Sequence, residues 1–111
     1  MSKQQCYNCG VVDSIHEKDS ATSKLVAGMG PKGEDGLIIF LVYCRSCHAV
    51  NIYKPGWFGS IKYSGQSMDA EKMARLIEQG QLKKDAMGIF PRHLQKAMLE
   101  DGVLPKNWEL I

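Results

Sequence analysis

The sequence predicts an α+β fold: a small β-sheet formed by the first half, with a C-terminal helical segment packed on it. Three observations lead there. Two C-x-x-C pairs, Cys6–Cys9 and Cys44–Cys47, each stand beside segments of β-forming residues. The run Leu37–Tyr43 is apolar at every position, the pattern of a strand covered on both faces. From Ser67 onward the apolar residues recur at helical spacing instead.

Taken in order, Val11–Lys18 leaves the first cysteine pair as a strand with Val11, Val12 and Ile15 as its apolar residues, and Lys24–Met29 is a weaker strand. Leu37–Tyr43, rich in β-branched and aromatic residues, runs straight into Cys44, and Ala49–Tyr53 leaves the second pair with Val50 and Ile52 alternating. A hairpin with a long loop spans the 34 residues between the pairs. Its flexible tip is expected at Gly28-Met-Gly30-Pro-Lys-Gly33. That stretch matches G-x-G-x-x-G letter for letter, but a dinucleotide site needs a helix directly after it to receive the pyrophosphate. Here Glu34-Asp35-Gly36 and a strand follow, and the Lys-Ser/Thr of a phosphate-binding loop is missing.

Residues 55–66 read as a connection rich in aromatics. Ser67 then caps a helix, with Asp69 and Glu71 in its first turn, Met73, Leu76 and Ile77 on one face, and Gly80 past its end. Leu82–Met87 is a shorter segment broken at Gly88. Pro91 opens a last helix that ends at Asp101-Gly102, with Phe90, Leu94, Ala97 and Met98 as its core stripe. Val103-Leu104-Pro105 and Trp108 form an apolar tail that folds back. The expected organisation is one compact domain over 1–111, with 1–54 as the sheet, 55–66 as the connection and 67–111 as the helical part. A homodimer through Leu37–Tyr43 is the other way to cover that strand.

The chain has 111 residues, 44% of them hydrophobic, and a net charge of +2 from 14 basic and 12 acidic side chains. So balanced a charge does not by itself imply nucleic acid. The start is polar and reaches a cysteine at position 6, so no secretory leader is expected. The longest apolar run has seven residues against the roughly 20 that span a bilayer. The expectation is a cytoplasmic protein with no membrane partner, in a compartment where four cysteines are metal ligands or catalytic thiols sooner than two disulfides. No Ser/His/Asp set or paired carboxylates form a recognisable motif, and a non-enzymatic protein is expected.

The stretch CRSCH at 44–48 has two incompatible readings, the C-x-x-C-H attachment site of a c-type haem and half of a four-cysteine metal site. Haem attachment requires export, a distal ligand and an apolar pocket, and it leaves Cys6 and Cys9 without a role. A redox dithiol would sit at a helix N-terminus, and neither pair opens a helical pattern. Two symmetric pairs instead aim four sulfurs at one thiophilic ion. CYNCG and CRSCH, at the ends of β-segments, resemble the two knuckles of the zinc-ribbon and rubredoxin-like superfamily over about residues 4–54. The resemblance implies a four-cysteine zinc-ribbon sheet and Cys6, Cys9, Cys44 and Cys47 as ligands of one zinc ion per chain. Gly10 follows that family's preference for glycine after the second cysteine. His48 departs from it, which counts against a rubredoxin-type iron site. An iron–thiolate electron-transfer centre is the alternative metal reading. His48 is expected at the surface or just outside the metal shell, and His16 and His93 as ordinary surface residues.

The stretch Tyr53–Tyr63 is the candidate contact surface. Tyr53, Lys54, Trp57, Phe58, Lys62 and Tyr63 put aromatics and lysines around a glycine-flanked turn. Such residues anchor protein interfaces, and they can also stack bases and hold phosphates. The expected function is a zinc-binding interaction or regulatory module for a protein partner, with nucleic acid as the alternative target. A purely structural role, with Trp57 and Phe58 tucked under the helices, is the competing expectation. The last helix carries Arg92, His93 and Lys96 against Glu100 and Asp101, not the basic stripe of a DNA-reading helix.

Overall fold

The computed structural model describes residues 3–16, 23–32, 34 and 36–111. Among the described residues six strands form one curled sheet in chain order: β1 Lys3–Gln5, β2 Val12–His16, β3 Leu25–Lys32, β4 Ile38–Cys44, β5 Ala49–Pro55 and β6 Ile61–Asp69. All neighbours are antiparallel except β2 and β3, which run parallel. Two helices follow, α1 Ala70–Glu78 and α2 Arg92–Glu100, and short 3-10 turns stand at Trp57–Gly59 and Lys84–Ile89.

The central strand β4 explains the unbroken apolar run. Leu41 and Tyr43 face the main core, where they meet Phe90, Leu94, Ala97 and Met98 of the helical half and Leu104 and Trp108 of the tail. Val42 and Cys44 face a second, smaller core with Leu25, Tyr53 and Cys6. Each fully buried side chain of this size contributes roughly 1.5–3 kcal/mol before entropy costs, so both covers matter.

The tail is held by one buried polar side chain. Gln95 has no exposed surface; its amide nitrogen donates to the carbonyls of Met87, Phe90 and Ile111, and its oxygen accepts from the Ile111 N–H at 2.9 Å. A buried amide is stable only when its hydrogen bonds are made, and here making them locks the chain end onto α2.

Several expected boundaries move. Ile61–Asp69 is a strand, so residues 61–66 pair with β5 and are not a free connection. Ser67 lies opposite Asn51 and donates its hydroxyl to Asn51 Oδ1 at 2.7 Å, so it does not cap the helix. Asp69 does, accepting from the Lys72 N–H at 3.1 Å. Gly28 and Gly30 lie inside β3 and not at a hairpin tip. Gly28 is needed there because a Cβ would come within 2.8 Å of Pro91 Cγ and 3.2 Å of the His93 ring. Gly33 and residues 17–22, the end of the first expected strand among them, lie outside the described residues. The 3-10 segment runs through Gly88 to Ile89. β1 carries no apolar pattern and was not expected; it is an edge strand zipped onto β2.

Candidate metal centre

Two turns of the same geometry carry the four cysteines. In the first, the Gly10 N–H donates to the Cys6 carbonyl at 2.9 Å, and Gly10 takes a φ of +84°. In the second, the His48 N–H donates to the Cys44 carbonyl at 2.8 Å, with His48 at a φ of +66°. Each turn reverses the chain by a left-handed residue directly after its second cysteine. Glycine adopts that conformation freely, whereas a residue with a Cβ gives up roughly 1–2 kcal/mol. His48 has compensating contacts: Nδ1 lies 2.5 Å from Glu71 Oε1, and the ring stacks near Tyr43 at 6.4 Å between centroids.

The turns converge because β4 and β5 carry the second and the smaller core holds the first. Cys6 and Cys44 are buried, Cys47 half-buried and Cys9 exposed. The Sγ atoms of Cys6 and Cys47 are 3.6 Å apart, those of Cys9 and Cys44 3.7 Å, and all four lie within 4.8 Å of one another. A disulfide needs about 2.05 Å. Four thiolates around an ion at a bond length of about 2.3 Å sit about 3.8 Å apart in a tetrahedron. The cluster therefore fits a metal ion and not a pair of disulfides.

The thiols differ electrostatically. Burial pushes Cys6 up, but the backbone of Cys9, the side-chain amide of Asn51 and the Asn8 N–H outweigh it and hold the thiol at about 6. Burial pushes Cys44 and Cys47 up from the ordinary thiol value. The Asn51 contribution is not legible in the sequence, where Asn51 is simply a polar residue between Val50 and Ile52. In the fold it is fully buried, its oxygen fixed by Ser67 and its nitrogen 3.5 Å from Cys6 Sγ.

The second turn is also fastened to both helices. Arg45 Nε lies 3.1 Å from each Asp101 oxygen, and Nη2 lies 2.8 Å from Asp101 and 3.2 Å from Glu100. Tyr43 donates its hydroxyl to Asp101 at 2.9 Å. These cationic and neutral donors sit at the C-terminal end of α2, where positive charge is favoured. At the N-terminal end of α1, the Ala70 N–H donates to the His48 carbonyl at 3.1 Å, beside the His48–Glu71 pair.

The six residues of the candidate contact surface divide. Tyr53 is 2% exposed and belongs to the smaller core, so it is no surface residue. Its register opposite Phe40 points it inward with Cys6 and Val42. Tyr63 is half-buried and stacks on Tyr7 at 4.0 Å with the rings nearly parallel, closing an aromatic cluster over the first turn. Tyr7 was not singled out from the sequence. Trp57 and Phe58 stand out at the β5–β6 tip, 85% and 102% exposed, and do not tuck under the helices. Lys54 and Lys62 lie opposite each other just behind them. His93 is half-buried, with Nε2 2.7 Å from the Ala27 carbonyl, and the His16 side chain lies outside the described residues.

The chain matches no family model, no curated protein and no solved structure. Among the described residues no helix is long and apolar enough to cross a membrane.

Proposed function

We propose that the chain is a small, non-catalytic zinc-binding interaction module, ribbon-like around its metal, that docks on a partner through the β5–β6 tip. The observation that carries the metal assignment is the convergence of four thiols from two turns of matching geometry. Cys6, Cys9, Cys44 and Cys47 would hold one Zn²⁺. Four protein ligands close the coordination shell, and a closed shell is the structural kind of zinc site. The ion would tie β1–β2 to β4–β5 and, through Arg45 and His48, to the helical half.

The contact role rests on the tip. A tryptophan and a phenylalanine fully in water contribute little to folding, whereas aromatics on a rigid base are effective anchors because little order is lost when they bind. Replacing Cys44 by Ser should strip the metal and unfold the protein, because metal binding and folding are linked. Trp57→Ala should leave the melting temperature within about 2 °C of the parent, as exposed substitutions do. A Cys44→Ser protein that melts like the parent would overturn the metal assignment. A Trp57→Ala protein that melts far lower would make the tip structural.

A further inference from the structure

We propose that the partner of the tip is an anionic lipid bilayer surface, an inference that rests on the tip being the contact element. Four features of the tip point there.

The first is local inconsistency. Phe58 is fully exposed and stands in left-handed backbone at φ +56°, followed by Gly59 at +77°. A solvated position with that backbone suits glycine or asparagine, and rules broken without a folding benefit mark functional positions. The turn is nonetheless well built: Gly56 N–H donates to the Ser60 carbonyl at 2.7 Å, and Ser60 Oγ donates to the Trp57 carbonyl at 2.7 Å. The rings are presented by a firm support.

The second feature is charge. From Lys54 to Met68 the sequence has two lysines and no acid. Lys54 and Lys62 are paired directly across the hairpin, where like charges repel. Negative charge outside the protein would relieve that repulsion.

The third is depth. Trp57 is three residues beyond Lys54, at most about 10 Å of extended chain. Interfacial segments sink their apolar side about 5–10 Å below the headgroups. Trp57 and Phe58 would then lie at the headgroup–acyl boundary, where aromatic rings are favoured, with both ammonium groups level with the phosphates.

The fourth is area. One buried aromatic covers about 150–250 Å², so the pair offers about 300–500 Å². A stable protein interface takes about 800 Å² from each partner. Directly behind the rings stand Pro55 and the exposed Ile61, paired across the hairpin, and then Lys54 and Lys62, so the apolar patch ends at the lysine pair. A convex wedge with two cations also lacks the basic groove that tracks a nucleic-acid backbone. The expectation of no membrane partner followed from the absence of a spanning segment; insertion of a tip requires none.

The test is co-sedimentation of the zinc-loaded full chain with phosphatidylcholine vesicles containing 30% phosphatidylserine, and with phosphatidylcholine alone. Trp57 fluorescence reports insertion, since Trp108 is buried at 7% exposure. Expected are binding to the anionic vesicles with a blue shift, a loss of at least tenfold in Trp57→Ala and in Phe58→Ala, and a loss of about fivefold for each of Lys54→Gln and Lys62→Gln. Absence of binding to anionic vesicles would overturn the inference. So would binding that Trp57→Ala and Phe58→Ala leave unchanged, or adsorption without a blue shift. Melting curves of the same variants separate the two readings. Unchanged melting with no vesicle binding removes the lipid alone and leaves a protein pocket as the tip's target, whereas a large drop in melting temperature removes the tip as a contact element altogether.

Discussion

Asp101→Ala should uncouple the second cysteine turn from the helical half. The carboxylate receives Arg45 through both Nε and Nη2 and the Tyr43 hydroxyl. Arg45 and Asp101 side chains are each 16% exposed, so solvent screens the pair only in part. Burial and Asp101 together push the Tyr43 hydroxyl well above the ordinary phenol range, and the Asp101 contact raises the already high Arg45 value further. Both donors therefore stay protonated; in the variant the Tyr43 hydroxyl loses its Asp101 acceptor and Arg45 loses its Asp101 contacts. A buried hydroxyl left unpaired costs about 1–3 kcal/mol. The lost Arg45 contacts add only about 1 kcal/mol, because Glu100 at 3.2 Å still answers part of the guanidinium charge. The sum is about 2–4 kcal/mol. At about 4 °C per kcal/mol for a chain of this length, the zinc-loaded protein should melt about 8–16 °C lower. Zinc should also pass faster to a chelator, since Arg45 lies inside the turn that carries Cys44 and Cys47. Circular dichroism melting and chelator-competition kinetics give both readouts. A drop below about 3 °C with unchanged release would show that the Arg45–Asp101–Tyr43 contacts do not hold the turn to α2.

His48→Gly should be tolerated within about 1 kcal/mol, because relief of the left-handed backbone offsets the lost Glu71 contact, while His48→Val should cost about 2 kcal/mol or more; urea titration of the zinc-loaded variants checks the order, and equal losses would contradict it. Tyr53→Phe should stabilise by about 1 kcal/mol, since the buried Tyr53 hydroxyl has no hydrogen-bond partner among the described residues; a destabilised variant would mean the hydroxyl is satisfied. Zinc affinity should fall with acid. Burial raises Cys44 and Cys47 in the metal-free site, so both are thiols at neutral pH and zinc must expel at least these two protons. The thiolate form is then stabilised only when metal is bound, so metal-linked stability is present at higher pH and lost on acidification. Between pH 8 and 6 affinity should drop roughly a hundredfold or more per unit, measured by chelator competition; a slope under about tenfold per unit would contradict the assignment.

What was legible in the sequence followed from local chemistry. The C-x-x-C spacing marked the four sulfurs that the fold brings within 4.8 Å, because each pair is fixed by its own turn. The unbroken run Leu37–Tyr43 marked strand β4, although only Leu41–Cys44 is buried, Ile38–Phe40 is half-buried and Leu37 lies outside the strand and is exposed, and the stripe Phe90, Leu94, Ala97, Met98 marked the buried side of the last helix. What was missed depends on partners distant in sequence. Ser67 has the chemistry of a helix cap, but strand pairing brings it to Asn51, and that contact aims Asn51 at Cys6. Gly28 and Gly30 look like a loop, and only the approach of Pro91 and His93 shows why a strand needs Gly28. Tyr53 and Trp57 read alike in an aromatic segment; strand register buries the first, and the turn at the hairpin tip leaves the second in water.

The most direct measurement is metal analysis of the purified chain combined with X-ray absorption at the zinc edge. The expected result is one zinc per chain with four sulfur neighbours at about 2.3 Å. A folded, metal-free protein, stoichiometric iron, or a nitrogen neighbour in place of one sulfur would contradict it.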